Sequence, residues 1–223
     1  MYEHSVTFID PNSGDEINSY HDFKLILAPF TPTPAEPQTN FLEVPGRDGY
    51  LDLTEANGEV KFKSREFVFR FTVVPDDTRT FDCITSEVSK ALNGLRCNIR
   101  IERDSSYYWQ GRCSVSEYAQ DRNIGQIEVR ATVDPYKLRD YPRTERFSLS
   151  ANPTRRNIWV EGRMPVVPVF ESSNGATIEF DGVAYTIGAG THKIPAIRLK
   201  EGTNLIEVSG DGSLTMTYQE GEL

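Results

Sequence analysis

No stretch of this chain approaches 18 consecutive apolar residues, so no segment reads as a membrane-spanning helix. Its start, MYEHSVTFID, lacks the basic and apolar regions of a secretory leader, and none is expected. Cysteine is scarce: three in 223 residues, an odd number with no Cys-X-X-Cys pair, which fits a reducing cytoplasm better than a disulfide framework. Histidine is equally scarce, and His4, His21 and His192 stand isolated, each read as a surface residue. There is no Gly-X-Ser-X-Gly elbow, no His-Glu-X-X-His and no phosphate-binding glycine loop. The run Gly188-Ala189-Gly190-Thr191-His192-Lys193 has the wrong glycine–lysine spacing and reads as a hairpin loop. The carboxylate pair Asp76-Asp77 is accounted for by helix capping. A basic excess is missing too: the net charge of −9 argues against a surface that neutralises nucleic-acid phosphates. From these absences we expect no enzyme, no metal and no cofactor.

What the chain does have is β grammar. Residues 65–74 alternate strongly, with Phe67, Phe69, Phe71 and Val73 on one face. The period then changes: Phe81, Ile84, Val88, Ala91, Leu92 and Leu95 follow helical spacing. Pro75 ends the preceding strand, Asp76, Asp77, Thr78 and Thr80 offer N-caps, and Gly94 offers a stop. This is the one helix expected. Strands over 96–102 and 107–117, turning near Ser105, bring Cys97 and Cys113 together on a buried face as small hydrophobes. The strand 124–133 runs into Asp134-Pro135, where proline is expected to end it.

The stretch Phe41 to Lys63 packs three reversals into a short span. Val44-Pro45-Gly46-Arg47 suits a type II turn, and Asp48-Gly49 and Asn57-Gly58 suit type I′ turns. Between them residues 50–55 alternate, with Leu51 and Leu53 on one face and Tyr50, Asp52 and Thr54 on the other. Upstream, residues 28–39 carry Pro29, Pro32, Pro34 and Pro37, a density that favours extended polyproline-like backbone. The bland reading is a surface loop.

From Thr144 onward about eight short strands are separated by turns such as Asp181-Gly182 and Gly210-Asp211-Gly212, with no helix, which fits a jelly-roll sandwich. Lys137, Arg139, Arg143, Arg146, Arg155, Arg156 and Arg163 concentrate positive charge, whereas residues 201–223 have acids and no bases. Two solvated faces, or patches that steer neighbouring subunits together, both fit that distribution.

The run Val44-Pro45-Gly46-Arg47-Asp48-Gly49 with Leu51-Asp52-Leu53-Thr54 resembles the signature of siphophage distal tail proteins. Asp134-Pro135-Tyr136 is similar to the close of that family's N-terminal domain. The ending, from Glu201-Gly202-Thr203-Asn204 to the Tyr218 strand, is similar to its galectin-like C-terminal domain. The resemblance implies a mainly β protein: an N-terminal β-sandwich with one α-helix over 1–140 and a galectin-like jelly roll over 141–223. It further implies a homo-hexameric ring in the virion, at the phage tail tip, assembled in the bacterial host cytoplasm. The tail tube protein, a tail-associated hub protein and receptor-binding or baseplate proteins would be its partners, with DNA only passing through. On that reading Pro32, Pro34, Pro37, Pro45, Arg47 and Tyr50 are the candidates for subunit contact. A rival expectation is a carbohydrate-binding accessory module using Trp159 or Tyr185 as an aromatic platform. The galectin sugar pattern of His-X-Asn-X-Arg with a downstream Trp is absent, so the resemblance does not carry sugar binding.

Overall fold

Alternation dictates where the first core lies. In β6 (Arg65–Val73) the aromatic face is buried throughout, with Phe67 and Phe69 fully enclosed. Burying each of these rings stabilises the fold by roughly 1.5–3 kcal/mol before entropy is counted. They stack edge-on, Phe67 to Phe69 at 6.1 Å and Phe8 to Phe69 at 6.2 Å between centroids. The structure is a computed structural model that describes residues 5–56, 58–73, 80–121 and 124–223. Contacts divide the chain into two units, Met1–Lys137 and Leu138–Leu223.

The first unit contains β1 (Val6–Ile9), β2 (Glu16–Asn18), α1 (Ser19–Phe23), β3 (Ile26–Leu27), β4 (Phe41–Glu43) and β5 (Tyr50–Asp52). After β6 come α2 (Phe81–Leu92), β7 (Arg96–Ile101), β8 (Tyr107–Asp121) and β9 (Ile124–Arg139), whose last two residues belong to the second unit. One sheet runs β2-β1-β7-β8-β9-β6-β3, and β4 and β5 pair apart from it as a two-stranded ribbon. The chain is mainly β, as expected.

Helix α2 forms because Phe81, Ile84, Val88 and Leu92 return to one side, and all four are buried. Of the cap candidates Thr80 serves, its hydroxyl accepting from the Cys83 N–H, and Gly94 (φ +85°) follows the helix. Pro75, Asp76, Asp77 and Thr78, like Asn57 and His4, lie outside the described residues. A second, five-residue helix, α1, corrects the expectation of one. Asn18 caps it by accepting from the N–H groups of Tyr20 and His21, and Asp22 accepts from the Asn18 N–H at 2.7 Å. Another correction concerns Asp134-Pro135, which does not end β9. The register with β6 stops at Val133 opposite Arg65, so Pro135 interrupts no bond to β6.

The β7–β8 register pairs Cys97 with Gly111, centring the reversal on Asp104, one residue before the expected Ser105. Cys113 therefore lies diagonal to Cys97, and the two buried thiols meet at 3.6 Å. The neighbouring thiol and burial push Cys113 up, away from the reactive thiolate. Cys83 is exposed. Maleimide labelling followed by mass spectrometry should therefore modify Cys83 alone in the native protein, and all three cysteines after unfolding. Native labelling of Cys97 or Cys113 would contradict this packing.

The second unit follows as β10 (Arg143–Leu149), β11 (Thr154–Val160), β12 (Val169–Ser172), β13 (Ala176–Phe180), β14 (Val183–Ile187), β15 (Gly190–Lys193), β16 (Gly202–Gly210), β17 (Gly212–Tyr218) and β18 (Gly221–Glu222). Two four-stranded antiparallel sheets, β10-β17-β12-β15 and β11-β16-β13-β14, enclose one core that includes Phe147, Ile158, Phe170 and Met216. This is a β-sandwich. Asp181 (φ +50°) and Gly182 (φ +75°) make the tight turn between β13 and β14 that their sequence requires.

The charged stretches of this unit pair with each other. Arg139 and Arg143 reach Glu161 at 2.7 and 2.8 Å and the buried Glu220 at 3.5 and 3.0 Å. Arg155 pairs with Glu207, and Arg156 with Glu145. Four of the bases read as a patch are thus met by acids of the same unit, three of them by Glu207 or Glu220 of the 201–223 stretch. Near β18, Gly162 must be glycine, because a Cβ there would stand 2.5 Å from the Gly221 carbonyl oxygen.

Candidate functional site

The ribbon of β4 and β5 is built by the turn chemistry around it. Gly46 has φ +81°, and the Arg47 N–H donates to the Val44 carbonyl at 3.1 Å, as a type II turn with Pro45 at its second position demands. The six residues 44–49 then close a hairpin that pairs Glu43 with Tyr50, Leu42 with Leu51 and Phe41 with Asp52. Asp48 does not take positive φ, so Asp48-Gly49 is not the type I′ turn expected, although Gly49 itself sits at φ +76°. Nothing lies within 4 Å of where a Gly49 Cβ would be, so a side chain there meets backbone strain alone. Gly49→Val should lower the onset of thermal unfolding, by about 1–3 kcal/mol of local strain. An onset equal to the parent's would exclude a left-handed Gly49.

β5 ends at Asp52, earlier than the alternation to residue 55 suggested. The Asp52 carboxylate accepts from the Thr54 N–H at 2.9 Å, and the Thr54 hydroxyl in turn accepts from the Asn40 N–H. These side-chain bonds turn the chain out of the ladder. The Thr54 hydroxyl, then its N–H, hold Asp52 below the usual carboxylate range.

Strand alternation puts Phe41, Glu43, Tyr50 and Asp52 on one face of the ribbon. Phe41 is 55% exposed and Tyr50 67%, with their rings 6.2 Å apart, and Leu42 on the opposite face is 49% exposed. A two-stranded ribbon is marginal by itself in water, and an aromatic pair on its open face is a surface suited to a partner. Of the sequence candidates, Pro45, Arg47 and Tyr50 are exposed on this hairpin. Phe41 and Leu42 were not among them, because a three-residue strand carries too little alternation to say which side is covered.

Pro32, Pro34 and Pro37 occupy different ground. Pro34 and Pro37 are exposed and Pro32 half-buried, but their segment is fastened to its own chain. Phe30 packs on Phe67 and Phe69 with centroids at 5.3 and 4.6 Å. The buried Arg65 donates from Nε to the Thr33 carbonyl at 2.5 Å and from Nη1 to the Pro135 carbonyl at 3.1 Å. Pro37 bridges Phe62, with the Gln38 N–H donating to Lys61 and the Lys63 N–H to Glu36. Proline fixes φ and the bonds come from residues between the prolines, so the segment is a stiff strap along residues 61–66. Tyr185, one of the two aromatic platform candidates, is half-buried against the second core, whereas Trp159 is 58% exposed. Among the described residues no cluster of His, Cys, Asp or Glu is arranged to hold a metal, and no helix is long and apolar enough to cross a membrane.

No family model and no curated protein matches the chain. Among solved structures it is similar to the Dit protein of phage SPP1, described as a paradigm of the hub adsorption apparatus in phages infecting Gram-positive bacteria. The likeness has a TM-score of 0.68 at 15% identity and covers 98% of this chain and 99% of that one. The chain therefore shares its fold with that protein over almost the whole of both chains.

Proposed function

We propose that this protein is a phage tail hub subunit, a virion structural component that works by geometry and carries no catalysis. The observation that carries this reading is the shared fold over almost the whole of both chains, with no large insertion to suggest another task. In this reading the first unit closes a homo-hexameric ring, and the ribbon of β4 and β5 lays Phe41 and Tyr50 on the next copy. A ring requires two different patches on each subunit, which meet head to tail and close. The exposed aromatic face supplies one of them. The tail tube protein would meet one side of the ring, with hub, baseplate or receptor-binding proteins on the other and DNA passing through the middle. The second unit, with its own core, would face outward. The net charge of −9 suits a passage that DNA crosses without adhering. Assembly would take place in the bacterial cytoplasm, where free thiols persist.

Negative-stain microscopy and mass photometry of the purified protein, alone and with tail tube protein, test this directly. Rings of six subunits are expected. A protein that stays monomeric in both conditions overturns the proposal.

A further inference from the structure

Strand β11 sends alternate side chains to opposite sides of its sheet. Ile158 and Val160 enter the second core, while Arg155, Asn157 and Trp159 face solvent. The register extends that outer face across the sheet. Trp159 lies opposite Thr203, Asn157 opposite Leu205 and Arg155 opposite Glu207, with Glu179 next to Glu207 on the far side. Trp159 and Leu205 are diagonal neighbours, yet they stay 58% and 52% exposed. Arg155 and Glu207 pair at 2.5 Å. Among the described residues neither the Asn157 amide, the Thr203 hydroxyl nor the Trp159 indole N–H has a hydrogen-bond partner.

We propose that this face binds a neutral pyranose of a glycan, its C–H side on the Trp159 ring and its hydroxyls on Asn157, Thr203 and the Arg155–Glu207 pair. The chemistry matches group by group. An aromatic face is the negative part of the ring's quadrupole and attracts the weakly positive C–H bonds of a sugar. An amide, a guanidinium and a carboxylate are planar groups with paired donors or acceptors, and adjacent sugar hydroxyls offer the complementary pairs. The sheet fixes Arg155, Asn157 and Trp159 about 7 Å apart in succession, so their backbone placement needs no ordering on binding. A protein partner would want a wider apolar core than one indole and one leucine. The sign of the charge narrows the class further. One arginine against Glu207 and Glu179 leaves the face net negative, which disfavours phosphorylated and carboxylated saccharides. The site shares no residue with the ribbon and does not depend on the ring.

The full chain, labelled at the exposed Cys83, is applied to an array of neutral, N-acetylated, amino and anionic saccharides. Free galactose, glucose and N-acetylglucosamine are then titrated against the unlabelled protein. Tryptophan fluorescence reports the site, because Trp109 is buried and Trp159 is exposed. Binding to a neutral saccharide is expected, with Trp159→Ala weakening it by about tenfold or more. Trp159→Phe should retain part of it, Asn157→Ala should weaken it too, and none of the three should change the melting temperature. No binding to any neutral saccharide, binding to anionic ones only, or binding that survives both alanine variants each overturns the proposal. So does a Trp159→Ala protein that keeps its glycan affinity but changes its oligomeric size, since the face would then be a protein contact. Ring formation is read separately by mass photometry, so failure of this site and failure of the hub reading are distinguishable.

Discussion

Replacing Glu220 with alanine should lower the melting temperature of the second unit by about 10–20 °C, the largest stability effect we expect from a polar side chain here. Glu220 is 2% exposed and stands between two guanidiniums, with Oε2 3.0 Å from Arg143 Nε and 3.5 Å from Arg139 Nε. Its Oε1 accepts the Glu161 N–H at 3.1 Å, and its carbonyl accepts the Arg139 N–H at 3.0 Å. Alanine keeps the backbone bond and deletes the buried charge. Arg139 and Arg143 would then face each other with only the more exposed Glu161 between them, and the Glu161 N–H would lose its acceptor. Removing one partner of a buried ionic cluster costs about 3–5 kcal/mol, and we expect about 2–4 here because both arginines are part-exposed. Glu220→Gln keeps an acceptor for the Glu161 N–H and should fall between the two. A Glu220→Ala melt within about 2 °C of the parent would show that the cluster contributes no net stability.

The same cluster has a pH signature. Arg143, then Arg139, hold Glu161 below the usual glutamate range, and Glu161 in turn raises Arg143. A carboxylate with a lowered folded-state value binds fewer protons when folded than when unfolded. Its contribution is therefore fully present above the ordinary glutamate value and lost as pH falls through the lowered one. The melting temperature of the second unit should decline in that acid window, and less steeply when Glu161 is replaced by glutamine.

The second large effect is on assembly. The pair Phe41→Asp and Tyr50→Asp should abolish ring formation while leaving the melting temperature of the first unit almost unchanged. Both rings are more than half exposed, so their loss removes little from the folded monomer. At a subunit contact they would be buried, and buried aromatics at the centre of an interface are worth about 2 kcal/mol or more each. Losing two weakens each contact on the order of 1,000-fold, before counting aspartates placed beside Glu43 and Asp52. Arg65→Ala is the informative contrast. It frees Thr33 and Pro135 from the strap, and so lowers stability without touching the ribbon face. Mass photometry of all three proteins decides the matter. Rings unaffected by the double aspartate variant would mean that the contact lies elsewhere.

The sequence alone determined the parts that depend on period and on special backbone angles. The phenylalanine face of β6, the α2 stripe with its Thr80 cap, the Gly46 turn and the Asp181-Gly182 hairpin are local consequences of side-chain alternation and of residues that tolerate positive φ. Length and pattern also carried the all-β sandwich after residue 143, because strands such as β10, β11 and β17 each have their own buried residues. Other features were locally encoded but easily missed, such as α1, whose Asn18 and Asp22 capping pair is a sequence signal too short to outweigh the strands around it. What only the tertiary structure decided was pairing between distant residues. Nothing in sequence spacing tells Arg139 and Arg143 that they will meet Glu220, or Arg65 that it will hold Thr33, because ion pairs and long-range bonds have no period. In the sequence the proline segment reads as a surface loop and the ribbon as an alternating strand between turns, and hydrogen bonds to residues 61–66 are what fasten the proline segment to its own chain. Trp159 shows the same limit. Strand alternation turns it away from Ile158, but only the register placed Thr203, Leu205 and Glu207 beside it.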